Sequence, residues 1–180
     1  MFLNTRQLTV SGALLAISII LIYLGNVIES STLFLLAAAS FGTGIIFREF
    51  GSRAAWAFLA ANILLGFFLS PQKLYMLTFS ALALYILLTE LVWGRLCAME
   101  NEQKKRRLFL AAKYGIFNAM YLPLIFLFPR WVISPSLMDQ IGAFLYPALI
   151  LGGQVLVYFF DWAYCHFQDQ IWSRIRRHVL

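Results

Sequence analysis

Three charged side chains stand inside stretches otherwise built of apolar residues. Glu90 lies near the end of one run, Lys113 inside the next, and Asp161 inside the last. If the runs are helices, each charge sits a turn or two from the same end, and the three share one depth. An unpaired charge in hydrocarbon costs ~2.5–3.5 kcal/mol or more, so such groups pair with one another and face inward. The chemistry open to them is an ion or proton relay, or a structural clamp joining three helices. A single layer near one face makes no pathway across a membrane, which favours the clamp.

A second set of polar residues falls toward the other ends of the runs. Asn118, Tyr121 and Pro123 lie in one run, and Tyr146, Pro147 and Gln154 in the next. Prolines inside spans kink them and free backbone carbonyls that can line a cavity. Asn26 and Glu29 precede the second run, and Lys73 and Tyr75 open the fourth. Together these groups could close over a small polar or aromatic solute. Read otherwise, the amides join neighbouring helices and the tyrosines form an interfacial belt. A third set is small: Gly12, Ala13 and Ala16 give a small-xxx-small spacing that lets another helix approach closely. Small residues are abundant in the first three runs, which suits tight packing within the bundle or a face for a partner.

Other chemistries find no support in the residues. There is no HExxH, no GxSxG and no phosphate-cradling glycine loop, so an enzyme is not expected. Cys97 and Cys165 form no CxxC, and His166 and His178 stand apart, so neither a metal site nor a cofactor is expected.

The elements that position these groups follow from composition. Hydrophobic residues make up 62% of the 180, and charged residues 12%, against about 45–50% and about 25% in soluble domains. A chain this size cannot hide so much apolar surface in its own core, so lipid is the expected solvent. A spanning helix needs ~20 apolar residues, and six runs are candidates: 8–28, 33–47 (short for a span and rich in small residues), 54–69, 74–99, 108–128 and 141–167. The first is too long for a signal-peptide core and is read as a retained helix. Ser31 or Thr32 is a candidate cap for the second run. Arg48 to Arg53 separate the second and third, and Pro71 separates the third and fourth. Lys104 to Arg107 form a charged turn before the fifth, and 129–139 is the longest loop. The runs are continuous instead of alternating, which excludes a β-barrel. The reading is an all-α, polytopic, single-domain membrane protein with six transmembrane helices.

Six spans put both termini on one side. Counted alternately, eleven of the fourteen basic residues fall there: Arg6, Arg48, Arg53, Arg95, the four of the charged turn and three tail arginines. Lys73 and Arg130 fall on the other side, and Lys113 lies within a run. This asymmetry places the basic side and both termini in the cytoplasm. The net charge of +6 is therefore a topology signal, and nucleic acid is not an expected partner.

The segment IILIYLGNVIESSTLFLLAAASFGTGIIFREFG, with SPQKLYML, KYGIFNAM and YFFDWAY further on, resembles a group of small six-helix Firmicute membrane proteins. These are similar to the substrate-binding S components of energy-coupling-factor (ECF) transporters. The resemblance implies an S-component-like bundle with an outward substrate pocket. It also implies a first helix that docks through small residues onto a transmembrane coupling protein driven by two ATPases. Gly12 and Ala16 match that docking pattern with glycine in place of the first alanine. No vitamin-specific pocket motif is present, so no substrate follows.

The first expectation is thus a solute-capturing subunit of an ATP-driven importer in the cytoplasmic membrane. It would use Asn26, Glu29, Lys73, Tyr75, Asn118, Tyr121, Tyr146 and Gln154 on an unidentified small molecule. The second is a non-transporting scaffold whose helices bind other membrane proteins. A related fold serves that way in cell-shape machinery. An outward cavity lined by Asn118, Tyr121 and Tyr146 would favour the first. The same region packed shut beside an exposed small-residue face would favour the second.

Overall fold

The structure is a computed structural model that describes residues 5–127 and 145–174. The loop at 129–139, the start of the sixth run, Arg176, Arg177 and the side chain of Tyr146 lie outside the described residues. Among the described residues, six α-helices follow one another: α1 (Thr5–Val27), α2 (Thr32–Phe50), α3 (Ser52–Leu69), α4 (Lys73–Leu96), α5 (Glu102–Leu127) and α6 (Leu145–His166). A short 3₁₀ turn (Glu29–Ser31) joins α1 to α2, and a π-helical segment (Phe167–Trp172) continues α6. No strand occurs among the described residues.

Five of the helical stretches are long and apolar enough to cross a membrane: Gln7–Val27, Glu29–Phe50, Ser52–Leu69, Lys73–Leu96 and Pro147–Trp172. α5, at 26 residues, is also long enough, but six of its residues are charged. The outer surface of the bundle suits lipid, since Phe34, Leu64, Phe68 and Leu151 are among many large apolar side chains left exposed. In water such a surface would be an aggregation liability.

Two buried clusters hold the fold. The larger joins α1 to α4 through Ile22, Leu36, Ile46, Phe58, Phe79 and Leu87. α2 is its axis, packed against α1, α3 and α4, and every residue from Ala39 to Ile46 is buried. Small residues allow this. A Cβ on Gly42 would come within 3.2 Å of the Phe58 ring and 3.1 Å of the Ser18 hydroxyl. The second cluster is aromatic and fastens α5 and α6: Phe41 and Tyr85 meet Phe160 and Tyr164, flanked by Phe117 and Phe167. The backbone of α6 approaches α5 closely at few places, so long side chains bridge it to the rest.

Helix ends differ from the sequence reading in three places. α2 runs on through Phe50, so Arg48 and Glu49 are helical and only Gly51 separates α2 from α3. Gly51 makes that reversal possible with φ +84° and ψ 176°, a conformation closed to L side chains. The four basic residues after Asn101 are not a turn but the first turns of α5. The Asn101 side chain accepts the Lys104 N–H at 3.0 Å and its carbonyl accepts the Lys105 N–H at 2.9 Å, which starts the helix there. Neither Ser31 nor Thr32 caps α2 by its side chain. The Thr32 hydroxyl instead faces carbonyls behind it, nearest that of Gly25 at 2.8 Å, and so satisfies the end of α1.

Candidate functional site

The basic end of the bundle is where α2, α4 and α6 finish and α3 and α5 begin. A cleft of about 340 Å³ opens there between α2, α4, α5 and α6. Arg48 reaches it from the last turn of α2, Glu90 from α4, Lys113 from α5, and Asp161 and Asp169 from α6 and its continuation.

Glu90 is the buried centre. Its Oε1 accepts Arg48 Nε at 2.9 Å, Arg48 Nη2 at 2.6 Å and the Tyr164 hydroxyl at 2.6 Å. Gln168 Nε2 donates to the same tyrosine oxygen at 3.2 Å. Gly44 leaves the room for this, because a Cβ there would overlap the Tyr164 phenol. One glycine on α2 thus allows a residue of α6 to reach a carboxylate on α4. Lys113 Nζ forms a separate pair with Asp161 Oδ2 at 2.7 Å, and it also lies 4.3 Å from the Phe109 ring centroid. The three charges singled out in the sequence therefore line one cleft as members of two ion pairs. The fourth member, Arg48, and the tyrosine between were missed. Phe50 continues the apolar pattern of 33–47 and so carries Arg48 onto the helix, but nothing in the sequence aimed either residue at Glu90.

The groups expected at the opposite end are divided between two networks. Asn26 on α1 holds the connection between α3 and α4. Its Oδ1 accepts the Ser70 hydroxyl at 3.0 Å and the Gln72 N–H at 3.2 Å. Lys73 Nζ donates to the Phe67 and Ser70 carbonyls, closing the end of α3. Tyr75 packs half-buried against the larger core, and Glu29 is exposed at the 3₁₀ turn. The second network lies between α5 and α6. Gln154 Nε2 donates to Asn118 Oδ1 at 2.7 Å, Asn118 Nδ2 donates to the Tyr114 carbonyl at 2.9 Å, and the Tyr121 hydroxyl donates to the Leu149 carbonyl at 3.1 Å. The Tyr121 ring fills the space a side chain at Gly153 would need.

Gly12, Ala13 and Ala16 face outward on α1, and nothing lies within 4 Å of a Cβ placed on Gly12. The small residues of α2 and α3 are used differently, with Ala39, Gly42, Gly44 and Ala55 buried inside. Among the described residues, no three His, Cys, Asp or Glu side chains group as metal ligands. Cys97 and Cys165 are free and exposed.

No protein-family model, no curated protein and no solved structure matches the chain.

Proposed function

We propose that the chain is a six-span protein of the cytoplasmic membrane that works as a subunit of a larger membrane complex. In this reading it is the S-component-like, solute-capturing subunit of an ATP-driven importer. The basic end, which gathers Arg48, Arg53, Arg95 and the cations of α5, faces the cytoplasm together with both termini. The observation that carries the reading is the outward face of α1, where Gly12, Ala13 and Ala16 are exposed and nothing lies within 4 Å of a Cβ placed on Gly12. Such a face lets a partner helix approach to backbone contact, and the sequence carries no nucleotide motif with which to power transport alone. α1 docks on a coupling protein, and separate ATPases supply the energy.

Gly12→Leu tests this directly. It should abolish co-purification of an ATPase-bearing complex from gently solubilised membranes while leaving the thermal unfolding of the subunit unchanged. An undiminished pull-down would retire the docking role.

A second reading, a scaffold that binds membrane proteins without moving solute, is favoured by one observation. The amides and hydroxyls of Asn118, Gln154 and Tyr121 are bonded to one another and to backbone, as in a region packed shut. Native mass spectrometry separates the two readings. A retained small molecule, lost on Asn118→Ala, belongs to the importer subunit; a ligand-free chain bound to other membrane proteins belongs to the scaffold.

A further inference from the structure

The charges of α5 are only partly compensated within the chain. Lys113 pairs with Asp161, and Lys105 pairs with Glu102 and lies 5.4 Å from the Trp93 ring centroid. Lys104, Arg106 and Arg107 are exposed and form no ion pair among the described residues. Like charges this close on a helix repel one another, so an anion brought to them relieves that repulsion.

What the cations sit above narrows the choice of anion. Lys104 and Arg107 share a face of α5, and Leu108, Ala111 and Gly115 continue that face at helical spacing. All five are exposed, and nothing lies within 4 Å of a Cβ placed on Gly115. The opposite face is the one that meets the bundle, where the Phe109 and Trp93 ring centroids are 4.8 Å apart. The apolar part of α5, from Leu108 to its end at Leu127, has about the 20 residues that cross the hydrocarbon. Lys104, Arg106 and Arg107 therefore stand at the level of lipid phosphates. Leu108 to Gly115 cover about 10 Å of helix at the level of the upper acyl chain. A soluble anion would use the cations alone, whereas an anionic phospholipid complements both parts of the face, its phosphate on the cations and its chain on the apolar stretch.

We infer that the exposed face of α5 is a binding site for one anionic phospholipid, its phosphate between Lys104 and Arg107 and an acyl chain along Leu108, Ala111 and Gly115. Arg106, on the adjoining face, adds to the attraction. The inference rests on the membrane-spanning reading of the fold. It does not depend on solute capture, on α1 docking or on which side of the membrane the basic end occupies.

The test uses the full chain in detergent, titrated with phosphatidylglycerol, with phosphatidylcholine of the same acyl chains, and with glycerol phosphate, which has no chain. Binding is read from thermal unfolding and from lipid retained in native mass spectrometry. Phosphatidylglycerol should raise the unfolding temperature and remain bound, and the other two should do so far less. Lys104→Gln with Arg107→Gln should weaken its apparent affinity by about tenfold or more. Arg53→Gln with Arg95→Gln removes the same charge from exposed positions of α3 and α4 and should leave the affinity within about twofold. Gly115→Phe, which changes no charge, should weaken retention of the lipid by obstructing the chain. The substituted residues are exposed, so the fold stays in place. An equal response to phosphatidylcholine or to glycerol phosphate overturns the inference. So does an equal loss from the Arg53 and Arg95 pair, which would mark a diffuse basic field with no site on α5.

Discussion

Lys113 and Lys73 are both lysines at helix positions, yet the fold uses them in opposite ways. The Lys113 side chain is 11% exposed and its ammonium meets Asp161 at 2.7 Å, whereas Lys73 is exposed and closes two carbonyls at the end of α3. Removing one partner of a buried pair strands the other charge, at about 3–5 kcal/mol when burial is complete. Asp161 keeps some contact with solvent, so Lys113→Ala should cost on the order of 2–3 kcal/mol. Lys73→Ala should cost under about 1 kcal/mol, the scale of an exposed interaction. Thermal unfolding in detergent measures both, and equal melting temperatures would mean that Lys113 reaches water by snorkelling. That these charges would be buried was legible from their places in apolar runs. Their partners were not. Glu90 finds Arg48 only because α2 extends one turn past its last continuous apolar stretch, and Tyr164 reaches Glu90 only because position 44 is glycine. Neither link leaves a mark in composition or charge count.

The ends of the elements were the least legible part, and two glycines show why. Gly51 and Gly94 look alike in the sequence, each near a cluster of arginine and apolar residues. Gly51 has φ +84° and makes the reversal between α2 and α3, whereas Gly94 lies inside α4, exposed, with nothing near a Cβ. The same substitution should therefore change stability with opposite sign. Gly51→Ala should destabilise by about 1–3 kcal/mol, because an L residue is strained in that conformation. Gly94→Ala should stabilise by about 0.5–1 kcal/mol through helix propensity alone. Thermal unfolding of the two variants, measured in parallel, checks the pair. The charged stretch 104–107 illustrates the same limit. Its polarity reads as loop, but lysine and arginine are good helix formers, and Asn101 followed by Glu102 supplies a start with an acidic first turn.

At the scale of the whole molecule, the two buried clusters divide the work. α1 to α4 form a tight core with small residues inside, and α5 and α6 are fastened to it by aromatic rings and by the hydrogen bond from the Tyr164 hydroxyl to Glu90. The cleft is thus a consequence of how α6 is held, since long side chains spanning a gap leave room between them. Its position at the basic end gives the bundle two chemically distinct faces, and the orientation of those faces decides what each can meet. Cys97 and Cys165 are both exposed near the basic end, and Lys73 marks the opposite end at the start of α4. A membrane-impermeant maleimide added to intact cells should leave Cys97 unlabelled until the cells are permeabilised. In a variant lacking both native cysteines, Lys73→Cys should label without permeabilisation. This is the orientation we propose from charge asymmetry, and the reverse pattern would put the basic end and its cleft outside the cell.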